Sequence, residues 1–183
     1  MKNIPYYIVI GILAAASVSC GKESVSQVST FPEDGVVRIN AVVAGPVEVT
    51  DAQVTRGDAG KPTEYSGKDL GFFIDYNDNG PYSRPNIRWE KDPDNGWQPE
   101  SQILWRNSRS KADIYAYAPY LDGETDSTKI GFSIPADQLN GTAGADFLWF
   151  AHKKFDPNAD LSGSKAIDIT FNHALVKLTV SIT

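Results

Sequence analysis

Hydrophobic positions follow two different patterns along this chain. Residues 4–18 form one continuous apolar run that begins shortly after Lys2. From Val36 onward, apolar and polar residues instead alternate with a period of two, first at Val37, Ile39, Ala41 and Val43. Such alternation is typical of a β-strand with one buried face. The pattern therefore divides the chain into a short apolar leader and a β-rich remainder.

The remainder predicts short strands and almost no helix. No segment sustains the i, i+3, i+4, i+7 spacing of an amphipathic helix, and 15 Gly and 11 Pro residues interrupt the apolar runs. Residues 46–69 are predicted to form a long exposed loop. The predicted strands are residues 36–43, 71–76, 102–105, 113–118, 129–134, 147–151, 166–171 and 175–182. We therefore expect an all-β fold, a β-sandwich of about seven strands.

The leader has the features of a secretory signal over residues 1–19. It combines a basic start, an apolar run too short to span a bilayer stably, and small residues before Cys20. Cys20 is the only cysteine in 183 residues, which favours diacylglycerol attachment and an outer-membrane lipid anchor. Ser17 stands where a lipobox most often has leucine. An ordinary cleavage site beside an incidental free cysteine is the alternative.

Composition divides the rest of the chain into a linker and one domain. Residues 20–35 are rich in Ser, Glu and Gly and hold few large apolar side chains, so we predict a flexible linker. Residues 36–183 are long enough for one β-sandwich domain. The formal net charge of −6, without a cluster of Lys and Arg, disfavours nucleic acid as a partner.

No arrangement of residues predicts catalysis, a cofactor or a metal. The sequence has no nucleophile elbow, no glycine-rich phosphate loop and no His-Glu pair on a predicted helix, so an enzyme is not expected. His152 and His173 lack further ligands at suitable spacing, and a structural role is predicted for His173. Residues 75–80 match only the first half of a calcium loop, so a polar hairpin turn is favoured there. Residues 56–58 spell Arg-Gly-Asp, an integrin-binding tripeptide that also occurs often by chance.

Tryptophan residues raise glycan binding as an alternative function. Trp89 and Trp97 flank a polar loop at residues 90–96 and could form a stacking platform for sugar rings. Trp105 and Trp149 lie inside predicted strands, where core packing is the simpler expectation. The glycan hypothesis therefore rests on Trp89 and Trp97.

Several motifs occur in an informative order. A Thr-Arg pair follows the first predicted strand, and the later motifs are DIYAYAPY at residues 113–120, FSIPADQ at 132–138, DFLW at 146–149 and FNHALVKL at 171–178. Together with the lipoprotein signal, they resemble the fimbrillin family of pilus subunits and related lipoproteins of Gram-negative gut and oral anaerobes. The resemblance covers nearly the whole chain after the signal and corresponds to the family's N-terminal half. It implies a transthyretin-like Greek-key topology here and a second, C-terminal domain that is missing.

The resemblance also implies a function. In the family, a trypsin-like protease cuts after an arginine in the loop that follows the first strand, and a strand from the C-terminus of a neighbouring subunit replaces the one released. Arg56 is the matching arginine, and residues 36–43 are the strand expected to leave. A lipid-anchored fimbrial subunit or accessory protein is therefore expected at the cell surface. Its implied partners are other fimbrial subunits, the outer membrane, and a host protein or glycan. An uncleaved anchor or tip subunit is the alternative interpretation of Arg56.

Overall fold

A computed structural model describes residues 29–45, 61–134, 136 and 146–174. Within these residues the chain forms eight strands and no helix. The strands are β1 (Ile39–Val43), β2 (Thr63–Glu64), β3 (Asp69–Asp75), β4 (Arg84–Asp92), β5 (Gly96–Pro99), β6 (Ala112–Ala118), β7 (Leu148–Phe155) and β8 (Ile167–His173). The predicted all-β class is confirmed.

The eight strands belong to one sheet with the order β2-β1-β8-β7-β6-β3-β4-β5. Neighbouring strands run antiparallel except β1 and β8, which pair in parallel from Ile39 opposite Ile167 to Val43 opposite Phe171. A parallel pair needs a long connection, and here the connection contains the other strands of the sheet. Two strands far apart in the sequence therefore become neighbours.

The sheet is curled so that its two ends approach each other. Lys91 on β4 forms an ion pair with Glu64 on β2, with 2.6 Å between Nζ and Oε1. The Trp97 ring on β5 stacks on Tyr65, with 5.8 Å between ring centroids. The concave face encloses one core whose largest fully buried side chains include Trp89, Phe72, Phe155, Phe171 and Leu70. The layered packing expected of a sandwich thus comes from one sheet folded over its own core.

A second, smaller hydrophobic cluster lies on the convex face. Along β6, Ile114, Ala116 and Ala118 join the main core, whereas Tyr115 and Tyr117 belong to the second cluster. Both tyrosines are buried beneath partly buried side chains, namely Leu121, Ile130, Phe147 and Trp149. Strand β6 is therefore buried on both faces, and its alternation of small residues and tyrosines sorts the side chains between two clusters.

Gly71 on β3 lies opposite Tyr117 on β6. A Cβ atom at position 71 would lie 2.1 Å from Cε1 of the Tyr117 ring, so the ring occupies space that only glycine leaves free. The Tyr117 hydroxyl oxygen lies 2.6 Å from the Asn86 amide oxygen and 2.9 Å from the Leu121 carbonyl oxygen. Burial raises the pKa of Tyr117 to about 12. These contacts hold the ring against the backbone of β3.

The structure corrects the predicted strand at residues 102–105. Only Leu104 pairs there, in an isolated bridge to Val36, although Ile103 and Trp105 are buried on either side of it. Strand β1 correspondingly begins at Ile39, later than the predicted start at residue 36. In residues 36–38 and 102–105, alternate apolar positions correctly indicate burial. The two segments pair through one isolated bridge, which is too short to count as a strand.

The predicted strand at residues 129–134 is also wrong. Lys129 and Phe132 donate their N–H groups to carbonyls only three and two residues earlier, as in turns. Strands β4 and β5, in contrast, are not revealed by alternation, because Ile87 and Trp89 are the only buried residues of β4. The predicted loop at residues 46–69 includes β2 and the first residue of β3. The predicted strand at residues 175–182 lies outside the described residues.

Candidate functional site: strand β1 and its surroundings

Strand β1 lies one position from the edge of the sheet. Five register pairs join it to β8, whereas only Val42 and Val43 pair with β2 on its other side. Just after β1, the Ala44 N–H donates to the Phe171 carbonyl of β8 at 2.8 Å. Strand β1 is therefore held mainly by one neighbour, β8.

One face of the β1 segment is buried in the main core. Val37, Ile39 and Ala41 are 1%, 5% and 4% exposed, and Val43 packs partly buried against the same core. These are the four residues of the predicted apolar face, which is confirmed. Burying a large aliphatic side chain is worth roughly 1.5–3 kcal/mol, so Val37 and Ile39 together contribute about 3–6 kcal/mol.

Polar side chains occupy the opposite face. Asn40 donates through Nδ2 to Asp168 Oδ1 at 2.8 Å, which ties β1 to β8 a second time. Arg38 donates to both carboxylate oxygens of Asp34. The hydrogen bond from Arg38 is the main reason that the pKa of Asp34 falls to about 2. Because both members of this ion pair are exposed, the pair adds little to the stability of the domain. Its main effect is to orient the chain before β1.

The chain that enters β1 is paired as well. The Val37 N–H donates to the Ile103 carbonyl at 2.9 Å, and the Trp105 N–H donates to the carbonyl two residues before Val37 at 2.8 Å. Further back, Phe31 packs partly buried against the main core. Residues 29–35, the described part of the predicted linker, therefore lie against the domain.

Asp113, at the start of β6, is a buried carboxylate. Burial alone would raise its pKa, but hydrogen bonds from the Lys154 backbone N–H (2.8 Å) and the Lys153 ammonium (3.2 Å) outweigh burial and lower it. The carboxylate lies at the register shift between β6 and β7, where Lys154 has a φ of 56°. Both oxygens of Asp113 are used at this irregularity, so its role is structural.

Cys20 and Arg56, the residues predicted for lipid attachment and for protease processing, lie outside the described residues. The described chain stops at Gly45, two residues after β1, and resumes at Lys61, two residues before β2. Arg56 therefore belongs to the connection between β1 and β2.

The pair of exposed rings predicted from Trp89 and Trp97 is not present. Trp89 is 1% exposed and packs edge-on against Phe72, because its position on β4 turns it toward the concave face. Trp97 is half-buried and stacked on Tyr65. Trp105 is buried, as expected of a core residue.

The predicted polar turn at residues 75–80 is confirmed, since it lies in the connection between the antiparallel strands β3 and β4. His173 ends β8, with its Nδ1 atom 2.9 Å from Asp146. Across the described parts of the chain, no three His, Cys, Asp or Glu side chains are arranged to hold a metal ion. The same parts contain no helix that is long and apolar enough to cross a membrane.

No local pattern reveals the contacts that join the two ends of the sheet. Glu64 and Lys91 are 27 residues apart, and neither belongs to a segment with strong alternation. Tyr65, which stacks on Trp97, lies inside the predicted loop. The only sequence signal is that each segment carries an aromatic residue and a charge, which is too common to identify a contact.

Solved structures that are similar to this chain include two bacterial surface proteins. A fimbrial protein from Bacteroides ovatus is 16% identical with a TM-score of 0.46, and the match covers 76% of this chain and 28% of that protein. A candidate cell adhesion protein from the same species is 12% identical with a TM-score of 0.47, and the match covers 75% of this chain and 52% of that protein. This chain thus spans only part of the length of each. No curated protein matches its sequence significantly.

The described residues form a curled all-β sheet in which β1 lies next to the edge strand β2 and pairs mainly with β8. The family model that matches residues 31–183 is described as fimbrillin-like. This chain belongs to the fimbrillin-like family. Membership supports a pilus-type subunit at the cell surface.

Proposed function

We propose that this chain acts as a lipid-anchored fimbrial subunit or fimbrillin-like accessory protein that assembles by strand exchange at the β1 position. The observation that carries the proposal is the position of β1, whose apolar face is buried, whose pairing is mainly with β8, and whose connection to β2 contains Arg56. Family membership supports the same class of protein and a non-enzymatic role. Adhesion to a host protein or glycan would follow from display of the subunit at the surface.

Release of β1 would create a groove that only another strand fills well. The backbone of β8 would lose its parallel partner along residues 167–171. The buried residues Ile169 and Phe171 would lose their register partners on β1, Ala41 and Val43. Unpaired N–H and C=O groups at a strand edge are satisfied by an added strand, and alternate apolar side chains of that strand refill the core. Exchange between subunits is therefore physically favourable once the connection after β1 has been cut.

Limited digestion with a trypsin-like protease is expected to cut first after Arg56. Cleavage needs an accessible, locally extended segment, whereas ladder hydrogen bonds protect the described strands. Mass spectrometry of the earliest fragments should show this cut before any cut within a strand. Lys68 is expected as a secondary site, whereas Lys61 precedes Pro62, a bond that trypsin cuts poorly. An R56Q variant should lose the first product and keep the secondary one. Early cleavage at Arg88 within β4, with the connection after β1 intact, would contradict the assignment.

Exchange itself can be tested on the cleaved protein. A fluorescent peptide of residues 34–45 should enter the cut protein and remain bound through gel filtration, because it supplies the same backbone bonds and apolar face as β1. The same peptide with Ile39→Asn should not enter, and neither peptide should enter the uncut protein. Equal uptake of the two peptides would show that β1 is not replaced by a strand that buries its side chains.

Acylation is expected at Cys20, because a lone cysteine directly after an export signal is placed for lipid attachment. In a Gram-negative host that processes lipoproteins, the wild-type chain should fractionate with outer membranes and incorporate labelled palmitate. A C20A variant should incorporate no label and leave the membrane fraction. Identical partitioning of the two chains would refute the lipid anchor without affecting the exchange proposal.

A further inference from the structure

The curled sheet leaves a window between β1 and β5. Residues 36–42 form one wall of this window and residues 95–99 form the other, and Trp89 also lines it. The window encloses about 560 Å³. Sites for small molecules typically measure roughly 300–1,000 Å³, so the window has the size of a small-ligand site.

The window is closed at both ends. Backbone pairing of residues 35–37 with residues 103–105 closes one end. The other end is closed where the two ends of the sheet meet, through the stacking of Trp97 on Tyr65 and the ion pair made by Lys91. A typical strand is about 17–20 Å long, and it would have to break one of these closures to lie in the window. The geometry therefore favours a compact ligand over an added strand.

Trp97 gives the window an aromatic wall. Its ring is half-buried and is fixed by stacking on Tyr65, with 11° between the two ring planes. A ring that is already held in place loses little conformational freedom when a ligand binds. The flat, electron-rich face of an indole suits a ligand that presents aligned C–H groups, as the apolar face of a pyranose ring does.

Two amide side chains beside Trp97 add hydrogen-bond acceptors. Asn95 donates through Nδ2 to Asp92 Oδ1 at 3.0 Å, and Gln98 donates through Nε2 to the Asn95 backbone carbonyl at 2.8 Å. These bonds use the NH₂ groups and orient the amides, and no described residue donates to the two amide oxygens. The oxygens can therefore accept hydrogen bonds from ligand hydroxyls.

Trp89 supplies an independent observation. Its indole N–H is buried and has no acceptor among the described residues, and Trp89 is one of the residues that line the window. A buried donor without an acceptor is unfavourable, and most such groups in folded proteins are paired. A hydroxyl oxygen of a ligand at the bottom of the window would accept this hydrogen bond.

We propose that the window between β1 and β5 binds a neutral pyranose sugar, alone or at the end of a glycan. The sugar stacks on Trp97 and exchanges hydrogen bonds with Asn95, Gln98 and the Trp89 N–H. A neutral sugar fits because the cations lining the window, Arg38 and Lys91, are already paired with carboxylates. This binding does not depend on filament assembly, so either proposal can fail without the other.

A glycan array tests the site directly. The purified full chain should be applied to mono- to tetrasaccharides that end in neutral hexoses, N-acetylhexosamines or sialic acid, and the best neutral glycan should then be titrated by calorimetry. Q98A, an exposed change that keeps the fold, should weaken binding at least tenfold, and W97A should abolish it. Y82A removes an exposed aromatic ring in the connection between β3 and β4 and should leave the affinity unchanged. Circular dichroism of each variant checks that it is folded.

Three results would overturn the proposal. The first is the absence of neutral-sugar binding at millimolar concentration, and the second is an affinity that Q98A and a folded W97A leave unchanged. The third is binding of sialylated glycans alone, or of an extended peptide of residues 34–45 alone, at the window of the uncut protein. That third result would assign the window to an acidic sugar or to an added strand.

Discussion

A Gly71→Ala substitution is expected to lower the free energy of unfolding by about 3 kcal/mol. The added Cβ atom would lie 2.1 Å from the Tyr117 ring, well inside van der Waals contact. The ring cannot easily move away, because it is fully buried and its hydroxyl is held by Asn86 and the Leu121 carbonyl. Either β3 and β6 separate locally or the ring loses its hydrogen bonds, and both cost stability. Denaturant unfolding followed by fluorescence measures the change.

Gly163→Ala is the matched control, because a Cβ atom at position 163 meets nothing within 4 Å. We expect this variant to stay within about 0.5 kcal/mol of the wild type. The steric explanation is tested further by placing Gly71→Ala in a Tyr117→Ala background, where most of its cost should disappear. A cost that survives removal of the ring would show that Gly71 is required for another reason.

An Ile39→Asn substitution is expected to lower the free energy of unfolding by about 3–5 kcal/mol, which is a large part of the roughly 5–15 kcal/mol of a typical domain. Ile39 is buried in the main core and makes the first register pair of β1 with β8, opposite Ile167. The variant loses the burial of three aliphatic carbon atoms and places an amide in an apolar site without a partner. Thermal unfolding and denaturant titration should both show the loss, and the variant is expected to aggregate on warming.

Arg38→Asn introduces the same side chain one position earlier, on the exposed face. It breaks the exposed ion pair with Asp34 and a 3.3 Å hydrogen bond to the Val36 carbonyl, so the expected cost is within about 1 kcal/mol. A large difference between the two variants would show that β1 stabilises the domain through its buried face. Equal effects would mean that β1 is held by its backbone pairing instead, and would weaken the case for exchange by an apolar strand.

Alternation of apolar residues predicted the strands whose two faces differ in chemistry. Val37, Ile39 and Ala41 were expected on one face and are buried together. Along the predicted strand that became β6, alternate residues likewise separate between the two clusters. This success has a simple reason: the period of two is a property of the extended backbone, and burial of one face then selects the apolar positions. The all-β class follows from the same local signal.

Residue types alone did not reveal which strands pair or where each aromatic ring lies. Apart from Ile87 and Trp89, the residues of strand β4 are mostly charged or polar, so its formation depends on antiparallel pairing with β3 and β5. The same pairing turns Trp89 inward, whereas composition suggested an exposed ring beside a polar loop. Apolar runs at residues 102–105 and 129–134 were expected to pair and instead form an isolated bridge and turns.

The sequence by itself determined the all-β class, the buried face of β1 and the family, because these depend on patterns within short segments or on the order of such segments. Only the tertiary structure decided that β1 pairs in parallel with β8, that Tyr117 needs a glycine across from it, and that a window remains between β1 and β5. Each of these features joins residues that are distant in the chain. Their contact depends on the curl of the whole sheet and on packing against a shared core, and no local preference encodes either.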